Sequence, residues 1–174
     1  LWYNQQGVSL GSGLALTDNS TLEFTLLYFD RDMLSTNGPG WDSINGKILP
    51  QDTPSDDNHL ESSFTLAGLT YNLDITDLLT LRAKSAYSET ERTYFGMWYA
   101  PDGDDYNGKN YYAELLNTIN PMNFLTILAG LDYEGMGIKN TFPTNPGDDI
   151  DEFDNAYSAF GKVLLNFMDD QLAI

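Results

Sequence analysis

Two stretches hold most of the residues that could do chemistry. Pro101-Asp102-Gly103-Asp104-Asp105-Tyr106-Asn107-Gly108 places carboxylates and an amide among glycines, and Asp148-Asp149-Ile150-Asp151-Glu152-Phe153-Asp154 adds a second acidic run. Hard oxygen ligands on a tightly curving backbone suit calcium. Asp102, Asp104, Asp105, Asp148, Asp149 and Asp151 are therefore expected to supply a calcium site if the two segments fold together. The spacing is not that of an EF-hand. Counted from Asp102, the fifth and sixth positions are Tyr106 and Asn107, and no bidentate glutamate follows where one is needed. The plainer reading is that both runs are solvated.

His59 is the only histidine, so no histidine triad for a metal can form within the chain. With Asp56 or Asp57 as orienter it could serve a serine hydrolase as base, but Ser12, Ser62 and Ser63 lack a nucleophile-elbow context. The absence of cysteine removes disulfides, thiolate nucleophiles and cysteine-ligated metals. A net charge of −18, from 26 acidic against 8 basic residues, argues against nucleic acid as a partner. Trp41, Trp98, Tyr99 and Tyr106 lie in or beside glycine- and aspartate-rich stretches and are candidates to stack on a flat ligand.

The elements that position these groups read as strands. Leu79, Leu81, Ala83 and Tyr87 share one parity, while Thr80, Arg82, Lys84, Ala86 and Ser88 share the other. The same alternation sets Leu125, Ile127, Ala129, Leu131 and Tyr133 against Thr126, Gly130, Asp132 and Glu134. It recurs from Val8 to Leu16 and from Tyr157 to Phe167, and less cleanly over 21–33 and 63–76, where Leu27, Phe29, Phe64 and Leu66 fall on the polar side. No segment has the roughly 18 apolar residues of a membrane helix, so a bilayer would have to be crossed by strands.

Compact turns near 18–20, 77–78, 120–123 and 169–171 alternate with long stretches at 35–60, 101–110 and 139–154, read as loops. Such alternation fits an up-and-down barrel with short periplasmic turns and long external loops. The expected fold is all-β, an antiparallel up-and-down transmembrane barrel with about seven strands and a terminal stub. Tyr28, Tyr87 and Tyr133 would mark its aromatic girdle. Arg82, Lys84 and Lys162 would face the lumen, guiding an anionic substrate or pairing with Glu23, Glu114 and Asp132.

The phrases Asp77-Leu78-Leu79-Thr80-Leu81-Arg82-Ala83, Asn123-Phe124-Leu125-Thr126-Ile127-Leu128-Ala129-Gly130-Leu131-Asp132-Tyr133 and Asp18-Asn19-Ser20-Thr21-Leu22-Glu23-Phe24 resemble the periplasmic hairpins of TonB-dependent receptors. That resemblance implies an active transporter in the outer membrane of a Gram-negative bacterium, carrying a metal chelate or similar nutrient. Its partners would be outer-membrane lipid, the remaining strands and plug of the barrel, TonB acting through the plug, and the small-molecule ligand. Cobalamin receptors of this kind use calcium to order external loops, which makes the acidic runs relevant. No plug, TonB-engaging segment or closing aromatic-terminated strand is visible, so the chain is expected to be a fragment or partial barrel. A passive porin-like channel and a soluble or adhesive all-β protein are the alternatives.

Overall fold

The computed structural model describes residues 3–36, 40–42, 47–49, 54–95, 103–143, 146–167 and 172–173. Seven long strands dominate it: β1 (Tyr3–Thr17), β2 (Ser20–Thr36), β5 (Pro54–Thr76), β6 (Leu79–Tyr94), β7 (Asp104–Met122), β8 (Leu125–Thr141) and β9 (Ile150–Phe167). A short hairpin of β3 (Gly40–Asp42) and β4 (Lys47–Leu49) stands between β2 and β5, and the two-residue β10 (Leu172–Ala173) pairs with β9. The long strands and β10 form one antiparallel sheet in the order β1-β2-β5-β6-β7-β8-β9-β10. It is an up-and-down meander. Among the described residues β1 has no second partner, so the sheet is not closed.

Because directly opposed residues in an antiparallel ladder share a face, the register sorts the side chains into two sets. One row runs Leu14, Leu22, Tyr71, Ala83, Leu115, Leu131 and Ala159. The adjacent row runs Gly13, Glu23, Thr70, Lys84, Glu114, Asp132 and Ser158. The first face is apolar and the second polar. Most exposed large apolar side chains of the strands belong to the first face, including Val8, Leu10, Leu69, Leu115, Leu131 and Val163. On β7 the polar face is also the more shielded: Tyr112, Glu114, Leu116 and Thr118 are half-buried, whereas Tyr111, Ala113 and Leu115 are exposed. The sheet therefore curls toward its polar side.

Hairpin ends show how the strands are inclined. The Asn19 carbonyl in the first turn accepts the Asp74 N–H at 2.8 Å, and the Asn19 side chain donates to the Asp74 carbonyl at 2.9 Å. β5 continues through Ile75 and Thr76 before turning at Asp77-Leu78. Leu78 then accepts from Asn120 N–H at 2.8 Å, and β7 continues through Pro121 and Met122 before turning at Asn123-Phe124. Each hairpin thus reaches two residues beyond the last. A drift of one residue per strand, set against ~3.4 Å rise and ~4.8 Å strand spacing, gives a tilt of about 35°, as in membrane barrels.

The tyrosines follow the same slope. Tyr28, Tyr87 and Tyr133 each stand nine residues after the second turn residue, Asn19, Leu78 and Phe124 respectively. All three lie on the apolar face, and Tyr111 and Tyr157 join them, with ring centroids 5.2 Å from Tyr87 and 5.0 Å from Tyr133. Nine residues of strand tilted by about 35° rise roughly 25 Å, the height of the apolar band in outer-membrane barrels. Turn rim and tyrosine girdle are therefore parallel and correctly spaced.

Pairing extends further than the sequence patterning suggests. The stretches read as loops contain β3 and β4, the first part of β5, the start of β7 from Asp104, the end of β8 at Thr141 and the start of β9 at Ile150. Beyond the tyrosines Asp, Asn and Lys replace apolar residues on both faces while the backbone ladder continues. The third turn is Asn123-Phe124 rather than 120–123, because Pro121 falls in a register shift between Ile119 and Met122 where no ladder N–H is required. The fourth predicted turn, 169–171, lies outside the described residues.

Candidate functional site

The polar face carries two groups of functional side chains. In its middle, Arg82 Nη2 donates to Glu114 Oε1 at 2.8 Å, and the Tyr112 hydroxyl donates to Glu114 Oε2 at 2.9 Å. The Lys84 ammonium sits 5.5 Å from the centroid of the Tyr112 ring. Ser158 donates to Asp132 at 2.7 Å. Parity on β6, β7, β8 and β9 puts all these residues on one side, so cations from one strand meet carboxylates from the next. Lys162 shares this face opposite Leu128 and forms no ion pair among the described residues.

Toward the end opposite the turns lies a cavity of about 560 Å³ lined by Arg92, Tyr94, Asp104, Asp105, Tyr106, Asn140 and Phe142, all but Asp105 of the polar face's parity. Arg92 and Tyr94 come from β6, Asp104 and Tyr106 from β7, Asn140 from β8, and Phe142 from the residue after it. Tyr106 lies across Gly108: a Cβ added there would meet the tyrosine hydroxyl at 3.0 Å. This glycine lets the ring lie along the wall. Asp104 Oδ1 and Asn140 Oδ1 are buried without a hydrogen-bond partner. Arg92 and Asp104 line the same space yet form no ion pair.

Between these groups lies an apolar shelf. Phe29 faces Phe64 across β2 and β5, their rings stacked with centroids 5.1 Å apart, and Leu27 faces Leu66 one inward position nearer the turns. In a water-filled lumen these four side chains would be exposed at a cost of about 1.5–3 kcal/mol each relative to burial.

The members of the predicted acidic cluster that fall among the described residues do not gather at one place. Asp104 and Asp105, as neighbours on a strand, point to opposite faces, and the Thr93 hydroxyl donates to Asp105 at 2.7 Å. Asp148 closes the short 3-10 turn Pro146–Asp148, Asp149 follows it, and Asp151 is the second residue of β9, which β8 separates from β7 by about 10 Å. Asp149 instead accepts the Phe142 N–H at 2.8 Å. Among the described residues no group of three or more acidic or histidine side chains is placed to hold a metal. Asp102, Trp98 and Tyr99 lie outside the described residues, and Trp41 is in β3.

His59 stacks on Phe95 at 4.3 Å and lies 3.4 Å from Glu61. Ser62 instead accepts from Arg31 at 3.4 Å and Ser63 donates to Glu91 at 3.3 Å, so no serine–histidine pair forms among the described residues. Sequence reasoning found Tyr106 but not Arg92, Tyr94, Asn140 or Phe142. Their signal was parity: Arg92 and Tyr94 continue the even-numbered face of Arg82 and Lys84.

The sequence matches no protein-family model and no curated protein. Among solved structures, the chain is similar to the ferric yersiniabactin uptake receptor FyuA from Yersinia pestis, with 12% identity and a TM-score of 0.39. The match covers 96% of this chain and 36% of that receptor, so the chain spans about a third of its length.

Proposed function

We propose that this chain forms part of the wall of an outer-membrane β-barrel transporter of the TonB-dependent kind, which admits a small nutrient ligand from outside. The observation that carries the reading is the apolar face, bounded by a tyrosine girdle and a turn rim that run parallel about 25 Å apart. The unpaired backbone edge of β1 supports it too, because an edge within hydrocarbon must be matched by another strand. Short turns then face the periplasm, and the Arg92–Tyr106 cavity opens outward. The chain itself performs no covalent chemistry in this role.

The inward shelf of Leu27, Phe29, Phe64 and Leu66 favours an occupied lumen over an open pore, since an aqueous channel would leave stacked phenylalanines in water. The full-length protein inserted into a planar bilayer is expected to conduct little or no current. A persistent open channel would overturn the plugged-transporter reading. A product that stays monodisperse in buffer without detergent would overturn the membrane reading altogether.

A further inference from the structure

We infer that two copies of this protein meet within the membrane on the apolar face of β7, β8 and β9, with Asn117 of one copy hydrogen-bonded to Asn117 of the other. The inference goes beyond the transporter reading and rests on it only for the lipid around this face. Asn117 has the parity of Leu115 and stands directly between Leu81 and Ala129, so its side chain lies on the apolar side. Its partner Ala129 is five residues after Phe124, and Tyr133 is nine, which sets Asn117 about midway between the turn rim and the girdle. Between those limits the other described residues of this face carry aliphatic, aromatic or hydroxyl side chains or are glycine. Among them Asn117 is the one amide.

An amide side chain brings two donors and a carbonyl acceptor. That of Asn117 is partly exposed and forms no hydrogen bond among the described residues. In water such exposure would be harmless. Hydrocarbon offers neither donor nor acceptor, and an unmatched polar group there is strongly unfavourable. The rest of the same barrel cannot supply the match: β7 is interior to the sheet, further strands would add beside β1 or β10, and the lumen lies on the opposite side. The match comes from another molecule.

A second copy fits on three counts. Copies inserted in one orientation are related by an axis along the membrane normal, which brings each residue to its counterpart at the same depth. The amide is self-complementary, so across a two-fold each Asn117 donates to the carbonyl of the other. The surface beside it also permits close approach. Asn117, Ala129 and Gly161 form one cross-strand row, with Ala159 on the same face of β9. A Cβ added at Gly161 would meet nothing nearer than the Leu128 carbonyl oxygen at 3.8 Å, whereas the Tyr133 and Phe153 rings cover Gly135. The hollow at Gly161 is thus left open, and small residues of this kind let two membrane-embedded backbones come together.

The test follows energy transfer between donor- and acceptor-labelled copies of the full-length protein in phosphatidylcholine vesicles as the protein-to-lipid ratio is lowered. The wild-type protein is expected to associate, and Asn117→Leu to associate about tenfold more weakly, the loss of two hydrogen bonds between membrane segments. Asn117→Leu should keep or raise its urea midpoint in the same vesicles, because leucine suits lipid; a lowered midpoint would mark a role inside one barrel and overturn the inference. Ala129→Phe, which fills the hollow, should also weaken association, while Ser12→Leu, on the same face at β1, should leave it unchanged. Energy transfer in the wild-type protein no greater than random proximity gives would overturn the inference and assign the Asn117 amide to a different partner. Equal association of wild-type and Asn117→Leu protein would overturn it too. A product monodisperse in buffer without detergent fails the membrane reading before this test begins, whereas a monomer in vesicles fails the inference alone.

Discussion

Arginine in place of Leu115 is expected to destabilise the lipid-embedded protein by about 2–4 kcal/mol, the cost of a cation near the midplane of a barrel's lipid face. Leu115 is 41% exposed, lies on the apolar face of β7, and sits between the tyrosine girdle and the turn rim. In an aqueous protein an exposed leucine tolerates this change with little effect. The contrast makes the substitution diagnostic of what covers the face. Thr70→Arg is the control: Thr70 lies on the polar face between Glu23 and Lys84, so the new guanidinium gains a carboxylate on one side against a like charge on the other and stays off the apolar face. Urea titration of protein refolded into lipid vesicles should show a lower midpoint for Leu115→Arg and a change under about 1 kcal/mol for Thr70→Arg.

Gly130→Val should destabilise by about 1–3 kcal/mol through overpacking. A Cβ at Gly130 would fall 2.5 Å from Phe160 Cζ and 3.0 Å from the Leu115 carbonyl oxygen. Phe160 is the cross-strand partner of Gly130 on the polar face, and its ring occupies the space the missing side chain leaves. An aromatic ring over a glycine restores contacts that the strand would otherwise lack. Adding Phe160→Ala to Gly130→Val should recover part of the loss, because the ring clash goes while the carbonyl contact stays. Full additivity of the two losses would contradict this packing.

Much of the sheet was legible in the sequence, because a strand with one apolar and one polar face must alternate and the period of two survives every short turn. The faces of β1, β6, β8 and β9 could be assigned residue by residue from parity. Strand ends could not. Asp104 to Asn110 reads as loop on composition, yet it pairs throughout with β6 and, from Asp105, with β8; under the proposed membrane placement this stretch lies where neither face demands apolar residues and the backbone ladder alone defines the strand. The described aspartates of the calcium expectation are separated for a related reason: a loop can gather neighbouring aspartates around an ion, whereas a strand sends Asp104 and Asp105 to opposite sides. The cavity was hidden because its members lie on three elements. Only the register brings Arg92, Asp104 and Asn140 to one place, although their common parity was present in the sequence.

The slope of the hairpin rim was likewise out of reach before the register was known. Turn positions are marked by an Asp or Asn at the first turn residue, but their two-residue stagger depends on which residue of β5 meets Asn19 and which residue of β7 meets Leu78. With that stagger in place, the nine-residue interval from each turn to its tyrosine becomes, under the proposed placement, a measure of the apolar band.

The central claim is that one face of this sheet is covered by lipid. These 174 residues hold no cysteine, so single cysteines can be introduced here and, once any cysteine elsewhere in the full-length protein is replaced, spin-labelled in the lipid-embedded protein. Labels at Ile127, Ala129 and Leu131 should be highly accessible to oxygen and poorly accessible to a water-soluble nickel complex, with the order reversed or oxygen access low at Thr126, Leu128 and Asp132. An alternation of that period along β8 is the predicted result; equal nickel accessibility at odd and even positions would contradict the account.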